Sequence, residues 1–206
     1  MLFVGWILKL LAIDTATDGC GVALLVGDAL FHRFQVAPKQ HTQLILTMID
    51  ELLQEAGITL QDLDVFAFGR GPGSFTGIRI ATSVIQGLSF GCDKPVVPVS
   101  TLRALAQGVY REQGQTHVFA SLDARMQEIY WGLFVVDSEG IMQSITEERV
   151  GPKADVQLPE GNWIATSRYP EARDIATIAR AEFVLGHFVF AKDALPIYIR
   201  DTVVRK

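Results

Sequence analysis

Apolar residues fall into two rhythms along the first half of this chain. Short β-rich runs at 10–14, 22–26 and 29–35 predict three strands. Gly19 and Gly21 punctuate them, Gly27-Asp28 reads as a hairpin turn, and Pro38 stops the third run. The period then lengthens. Leu44, Ile45, Met48, Leu52, Leu53 and Ala56 recur at helical spacing, which predicts a helix over 41–56 closed by Gly57. Runs at 65–68 and 96–99 read as strands on either side of a helix at 78–90. Beyond them the pattern predicts a helix at 102–109, strands at 117–122, 128–136 and 141–149, a helix at 171–183 and a short last strand at 196–200.

The opening order β-β-β-α-β-α-β is the ribonuclease-H-like pattern, which the sugar kinase, Hsp70 and actin superfamily uses in tandem. An α/β fold of two lobes follows, with residues 1–100 in the first lobe and 101–206 in a reduced second one. Residues 1–8 read as an extension in front of the first strand. The apolar stretch 1–13 has no basic leader and no cleavage site, is too short to span a bilayer, and is interrupted by Lys9. A cytoplasmic protein without a membrane segment is expected.

The helix at 78–90 carries more apolar residues than one stripe needs. Ile78, Ile80, Ala81, Val84, Ile85, Leu88 and Phe90 leave little polar surface. Such a helix is buried on more than one side: by its own domain, or by another protein.

Composition narrows the function classes. Hydrophobic residues make up 49% of the 206, enough for a real core, and the net charge is −5. The chain has no lysine or arginine run, so it is not expected to grip nucleic acid by itself. Cys20 and Cys92 form no CxxC and read as thiols of a reducing compartment. His32, His41, His117 and His187 are scattered without ligand spacing, so no metal site is expected.

Candidate chemistry gathers at Arg70-Gly71-Pro72-Gly73-Ser74-Phe75-Thr76-Gly77-Ile78-Arg79, between a strand and a helix start. Free N–H groups and the helix dipole would attract an anion there. The loop nonetheless lacks the Walker lysine, has Thr76 where a dinucleotide loop has its third glycine, and misses the serine-elbow pattern around Ser74. Two readings stand: a tight turn that needs glycine, or an anion- or nucleotide-facing site formed by Asp14, Thr15, Gly71, Gly73 and Ser74. Asp14 itself is a strand-end acid that either faces a ligand or forms a turn. Asp123 and Arg125 read as a solvated turn pair or part of a contact surface.

Leu11-Ala12-Ile13-Asp14-Thr15-Ala16-Thr17, His41-Thr42, the glycine loop with Gly69, Asp123-Ala124-Arg125-Met126-x-Glu128-Ile129-Tyr130-Trp131 and Pro196-Ile197-Tyr198-Ile199-Arg200 form a set of motifs. Together they resemble the bacterial TsaB (YeaZ) family. The resemblance runs from Lys9 to the end of the chain. It implies a non-catalytic subunit that supports the paralogue TsaD in making threonylcarbamoyladenosine beside the tRNA anticodon. It also implies the ATPase TsaE as a partner through the complex, tRNA contact only through partners, and a homodimer when alone. The paralogue carries His-x-x-x-His after a Val-Pro-Val strand. Here Val97-Pro98-Val99 is followed by Thr101 and Leu105 at those positions, which cannot hold a metal pair. No tightly bound cofactor is implied, with ATP or ADP entering only within the complex. Leu44, Met48, Leu52, Ile78, Ala81, Val84, Ile85 and Leu88 are the candidate partner interface. Competing readings are a nucleotide-binding kinase or ATPase and, more remotely, a metallopeptidase. One departure from the family is a stretch of residues absent around 166–169, which predicts a break or a long step in the chain there.

Overall fold

The computed structural model describes residues 7–156, 158, 160, 163–166 and 168–199. The first sheet is built from β1 (Lys9–Asp14), β2 (Gly19–Val26), β3 (Ala29–Val36), β4 (Val65–Gly69) and β5 (Val96–Val99), in the order β3-β2-β1-β4-β5. β1 runs antiparallel to β2 and parallel to β4, and β4 runs parallel to β5. This is the ribonuclease-H-like arrangement the element order implied.

Alternation along β1 assigns its side chains to two different cores. Leu11 and Ile13 point to a face covered by α1 (His41–Ala56) and α2 (Phe75–Cys92), where they meet Ile45, Leu52 and Ile85. Leu10 and Ala12 point to the other face, covered by α4 (Ala172–Val184) through Ile175, Ile178 and Ala179. Both faces are dry, so β1 reads as a nearly continuous apolar run.

The position of α4 corrects the expected division at residue 100. This helix comes late in the chain but packs on the first sheet, because Leu10, Val65 and Val97 need an apolar cover on that side. The second sheet has the order β10-β6-β7-β8, from β6 (His117–Asp123), β7 (Glu128–Val136), β8 (Met142–Ser144) and β10 (Ile164–Thr166), with β9 (Arg149–Pro152) pairing β7. α3 (Thr101–Gln113) covers it with Leu102, Leu105 and Val109 against Val118 and Phe134. Arg111 on α3 pairs with Asp174 on α4 at 2.8 Å and ties the two helices together.

Other boundaries differ for local reasons. The expected strand at 141–149 divides into β8 and β9: Thr146 Oγ1 takes the Leu133 N–H and Glu148 turns away to accept from Ser100, so the ladder is interrupted. The expected strand at 196–200 is not one over its described residues. Pro196 has no N–H, and Ile197 N donates to Arg70 O at 2.9 Å, its one backbone bond among the described residues. The expected extension ends before Leu8, which is buried and accepts from Gly27 N at 2.8 Å. Residues 1–6, and the step through Ser167 where a chain break was expected, lie outside the described residues.

Candidate functional site

The glycine loop joins β4 to α2, and its glycines are there for close approach. A Cβ on Gly77 would stand 2.0 Å from Thr15 O, and one on Gly73 would stand 2.3 Å from Ala16 O. Hydrogen bonds close the contact: Thr15 Oγ1 donates to Gly77 O at 2.7 Å, and Ser74 N donates to Ala16 O at 2.7 Å. Gly71 has φ 101°, which only glycine adopts freely, and precedes a cis peptide to Pro72. Ser74 caps α2 by accepting from Gly77 N at 3.4 Å. The helix therefore begins at Phe75, ahead of the expected start at 78.

The loop thus clamps the end of β1, and the candidate anion-facing set splits. Gly73 and Ser74 line a cleft of about 620 Å³ between the lobes, with Thr17, Arg125, Tyr130 and Tyr169. Asp14, Thr15 and Gly71 do not reach it: all three are buried. Asp14 Oδ2 accepts from Ala16 N at 3.2 Å, and Oδ1 has no partner among the described residues. Burial pushes the Asp14 carboxyl up to about 7, against the opposing pull of the Ala16 N–H. An acid so enclosed, beneath packed backbone, is not placed to face a ligand in the cleft.

Across the cleft, Arg125, Met126 and Gln127 all have positive φ at the tip of the β6–β7 hairpin. Asp123 holds this turn, accepting from Arg125 N at 2.8 Å and pairing with its guanidinium at 3.4 Å. Both side chains are mostly exposed, as a solvated turn pair would be. Sequence reasoning missed a neighbouring stack. The Arg79 guanidinium lies 3.6 Å over the Phe75 ring, and Arg79 Nε donates to Tyr198 OH at 2.9 Å. The Phe75–Arg79 spacing of one helical turn was the available signal.

The candidate interface also splits. Leu52, Ile78, Ala81 and Ile85 are fully interior, and Met48 is nearly so; they pack α1 and α2 onto the sheet. Leu44, Val84 and Leu88 are half-buried, and Ile80 joins them. On α2 the row Ile80–Val84–Leu88 lies beside Gly87 and Gly91, where an added Cβ would meet nothing within 4 Å. Phe90 next to it is 83% exposed. The row packs against the core on one side and keeps part of its surface uncovered on the other.

Thr101 and Leu105 are buried at the start of α3. His41 Nε2 lies 3.2 Å from Gly19 O, His117 meets Trp163 edge to face, His187 pairs with Glu182, and His32 is exposed. Among the described residues no group of three or more His, Cys, Asp or Glu is arranged to hold a metal ion. Cys20 and Cys92 are free and buried. Among the described residues no helix is long and apolar enough to cross a membrane.

Known proteins resemble the chain over most of its length. Residues 35–191 match the family model described as TsaD, tRNA N6-adenosine threonylcarbamoyltransferase. The tRNA threonylcarbamoyladenosine biosynthesis protein TsaB of Escherichia coli is 36% identical over 225 aligned positions, covering 97% of each chain. Its namesake from Haemophilus influenzae is 37% identical, over 97% of this chain and 96% of that one. The solved structure of YeaZ from Pseudomonas aeruginosa superposes with a TM-score of 0.90 at 40% identity, covering 93% of this chain and 99% of that one.

Proposed function

Because this chain belongs to the TsaB family of tRNA threonylcarbamoyladenosine biosynthesis proteins, we propose that it acts in making that modification as a non-catalytic subunit. In this reading it binds and supports a TsaD-type paralogue, meets the ATPase TsaE through the complex, and touches tRNA only through partners. Alone it pairs with itself. ATP or ADP enters only within the complex, and the protein works in the cytoplasm.

The observation that carries the reading is the half-buried row Ile80, Val84 and Leu88 beside Gly87 and Gly91. Small residues let another helix approach closely, and the apolar row supplies area to bury. The non-catalytic part is supported by Thr101 and Leu105, which are buried and supply no metal-ligand pair. A kinase-like activity gains nothing from Asp14, whose carboxyl is enclosed.

Co-purification with a TsaD-type paralogue, followed by size measurement, tests the proposal. The expected result is a stable complex that competes with the homodimer, since one surface serves both. A paralogue that does not bind, or that binds Val84→Glu as tightly as wild type, removes the basis for this interface.

A further inference from the structure

A second cavity, of about 950 Å³, shares no lining residue with the inter-lobe cleft. Arg70, Pro98, Phe134, Glu148, Phe188 and Ile197 are among its walls. Arg70 and Ser100 directly follow the carboxyl ends of the parallel neighbours β4 and β5. Open parallel sheets take their ligands at such strand ends.

The main chain of Arg70 is fixed. Its N donates to Val99 O at 2.8 Å, and its O accepts from Ile197 N at 2.9 Å. Its side chain is not. Among the described residues the guanidinium makes no hydrogen bond or ion pair, and Nε is buried without an acceptor. Arg103 on the same wall shows the contrast. It donates to Met142 O at 2.5 Å, Glu182 at 2.7 Å and Gln143 at 2.9 Å. A half-buried guanidinium with no acceptor is costly, and a bound oxyanion would relieve that cost.

The neighbouring acid does not fill the role. Glu148 accepts from Ser100 Oγ and stays beyond ion-pair reach of Arg70. Burial pushes its carboxyl above the usual range, although the charge of Arg70 pulls the other way. Glu148 therefore acts on Arg70 only through its charge at a distance, with its hydrogen bond spent on Ser100.

We propose that this cavity binds a small amphipathic organic anion, its carboxylate or phosphate on the Arg70 guanidinium and its apolar body against Pro98, Phe134, Phe188 and Ile197. Carboxylate and phosphate share the planar, two-point contact that a guanidinium offers.

Titration of the full chain with isovalerate and with inorganic phosphate, followed through the backbone amide resonances of Ser100 and Val97 in the cavity wall, tests this. Saturable shifts with isovalerate identify a carboxylate with an apolar body, and shifts with phosphate alone identify a phosphate. Arg70→Gln should weaken binding by roughly tenfold or more, while Arg125→Gln in the other cleft leaves it unchanged. Should Arg70→Gln fail to fold, Glu148→Gln serves instead: removing the nearby acid should tighten binding several-fold. No saturable shift with either probe overturns the proposal, as does binding lost with Arg125→Gln, or binding unchanged by both Arg70→Gln and Glu148→Gln.

Discussion

Gly69 and Asp14 meet across β4 and β1 with no room for a side chain between them. A Cβ on Gly69 would stand 2.0 Å from Asp14 Oδ1 and 3.4 Å from Ile175 Cδ1 of α4. Gly69→Ala must push the carboxylate away or open the strands. A loss of roughly 1–3 kcal/mol is expected in denaturant unfolding, the range for overpacking a tight core. A variant as stable as wild type would mean that this contact relaxes freely.

Asp14 should give the stability a measurable pH slope. Burial raises its carboxyl from 3.8 to about 7 in the fold. The folded state therefore prefers the protonated acid. Its contribution is full below about pH 4 and is lost as pH rises to about 7. Asp14→Asn removes this slope, so the variant should gain on wild type across that window by on the order of 1 kcal/mol or more. The comparison is made by urea unfolding at a series of pH values. A difference that stays flat between pH 4 and 7 would contradict the assignment, because the cost of burying an amide does not vary with pH.

Val84 and Ile85 are adjacent, yet their acid variants should fail differently. Ile85 has no exposure and packs on the sheet, so Ile85→Glu should cost roughly 3 kcal/mol or more and lower the melting temperature sharply. Val84 is half-buried. Val84→Glu should keep the circular dichroism spectrum and most of the stability, but lose self-association in sedimentation. Equal damage to the fold from both variants would mean that this face of α2 is interior.

The Arg111–Asp174 pair should behave as a buried charge contact. Asp174 is 2% exposed and accepts from Arg111 Nε at 2.8 Å and Nη2 at 3.1 Å. Arg111→Met strands that carboxylate and should cost roughly 3 kcal/mol near neutral pH. Burial already raises the Asp174 carboxyl, against the pull of Arg111. Without the arginine it protonates more readily, so the loss should shrink as pH falls. Arg111→Met with Asp174→Leu should recover much of the stability. A double variant no better than the single one would argue that the pair is not the source of the effect.

The protein alone should bind tRNA negligibly at physiological salt. The net charge is −5 and the chain has no basic run, so the phosphate contacts that supply most affinity are missing. A filter-binding titration checks this. Sub-micromolar, salt-sensitive binding without partners would contradict it.

Sequence patterning carried some of these features and not others, for identifiable reasons. Helix 41–56 and strand 128–136 coincide with α1 and β7, because local periodicity and Gly57 define them without distant help. Which of Val84 and Ile85 faces outward depends on how α2 is rotated against β4, and α2 is apolar on too many sides to reveal it. The interior place of Asp14 depends on Gly69, Gly73 and Gly77, far along the chain, approaching as backbone. The strand expected at 141–149 fails because Thr146 and Glu148 find partners on Leu133 and Ser100, which no local pattern announces. Arg70 was visible as a motif residue, but its unmet donors appear only once the cavity beside it is formed.

The return of α4 to the first sheet also bears on synthesis. While the ribosome has made only the residues before 172, Leu10, Ala12, Val65 and Val97 have no α4 to cover them. Domains emerging from the ribosome generally fold N-terminal part first. Here the first five strands can pair early, but one apolar side of their sheet stays bare until the last part of the chain emerges. A nascent chain at that stage is a natural substrate for chaperones, and a stop shortly before α4 should yield an insoluble product although every strand of the first sheet is present.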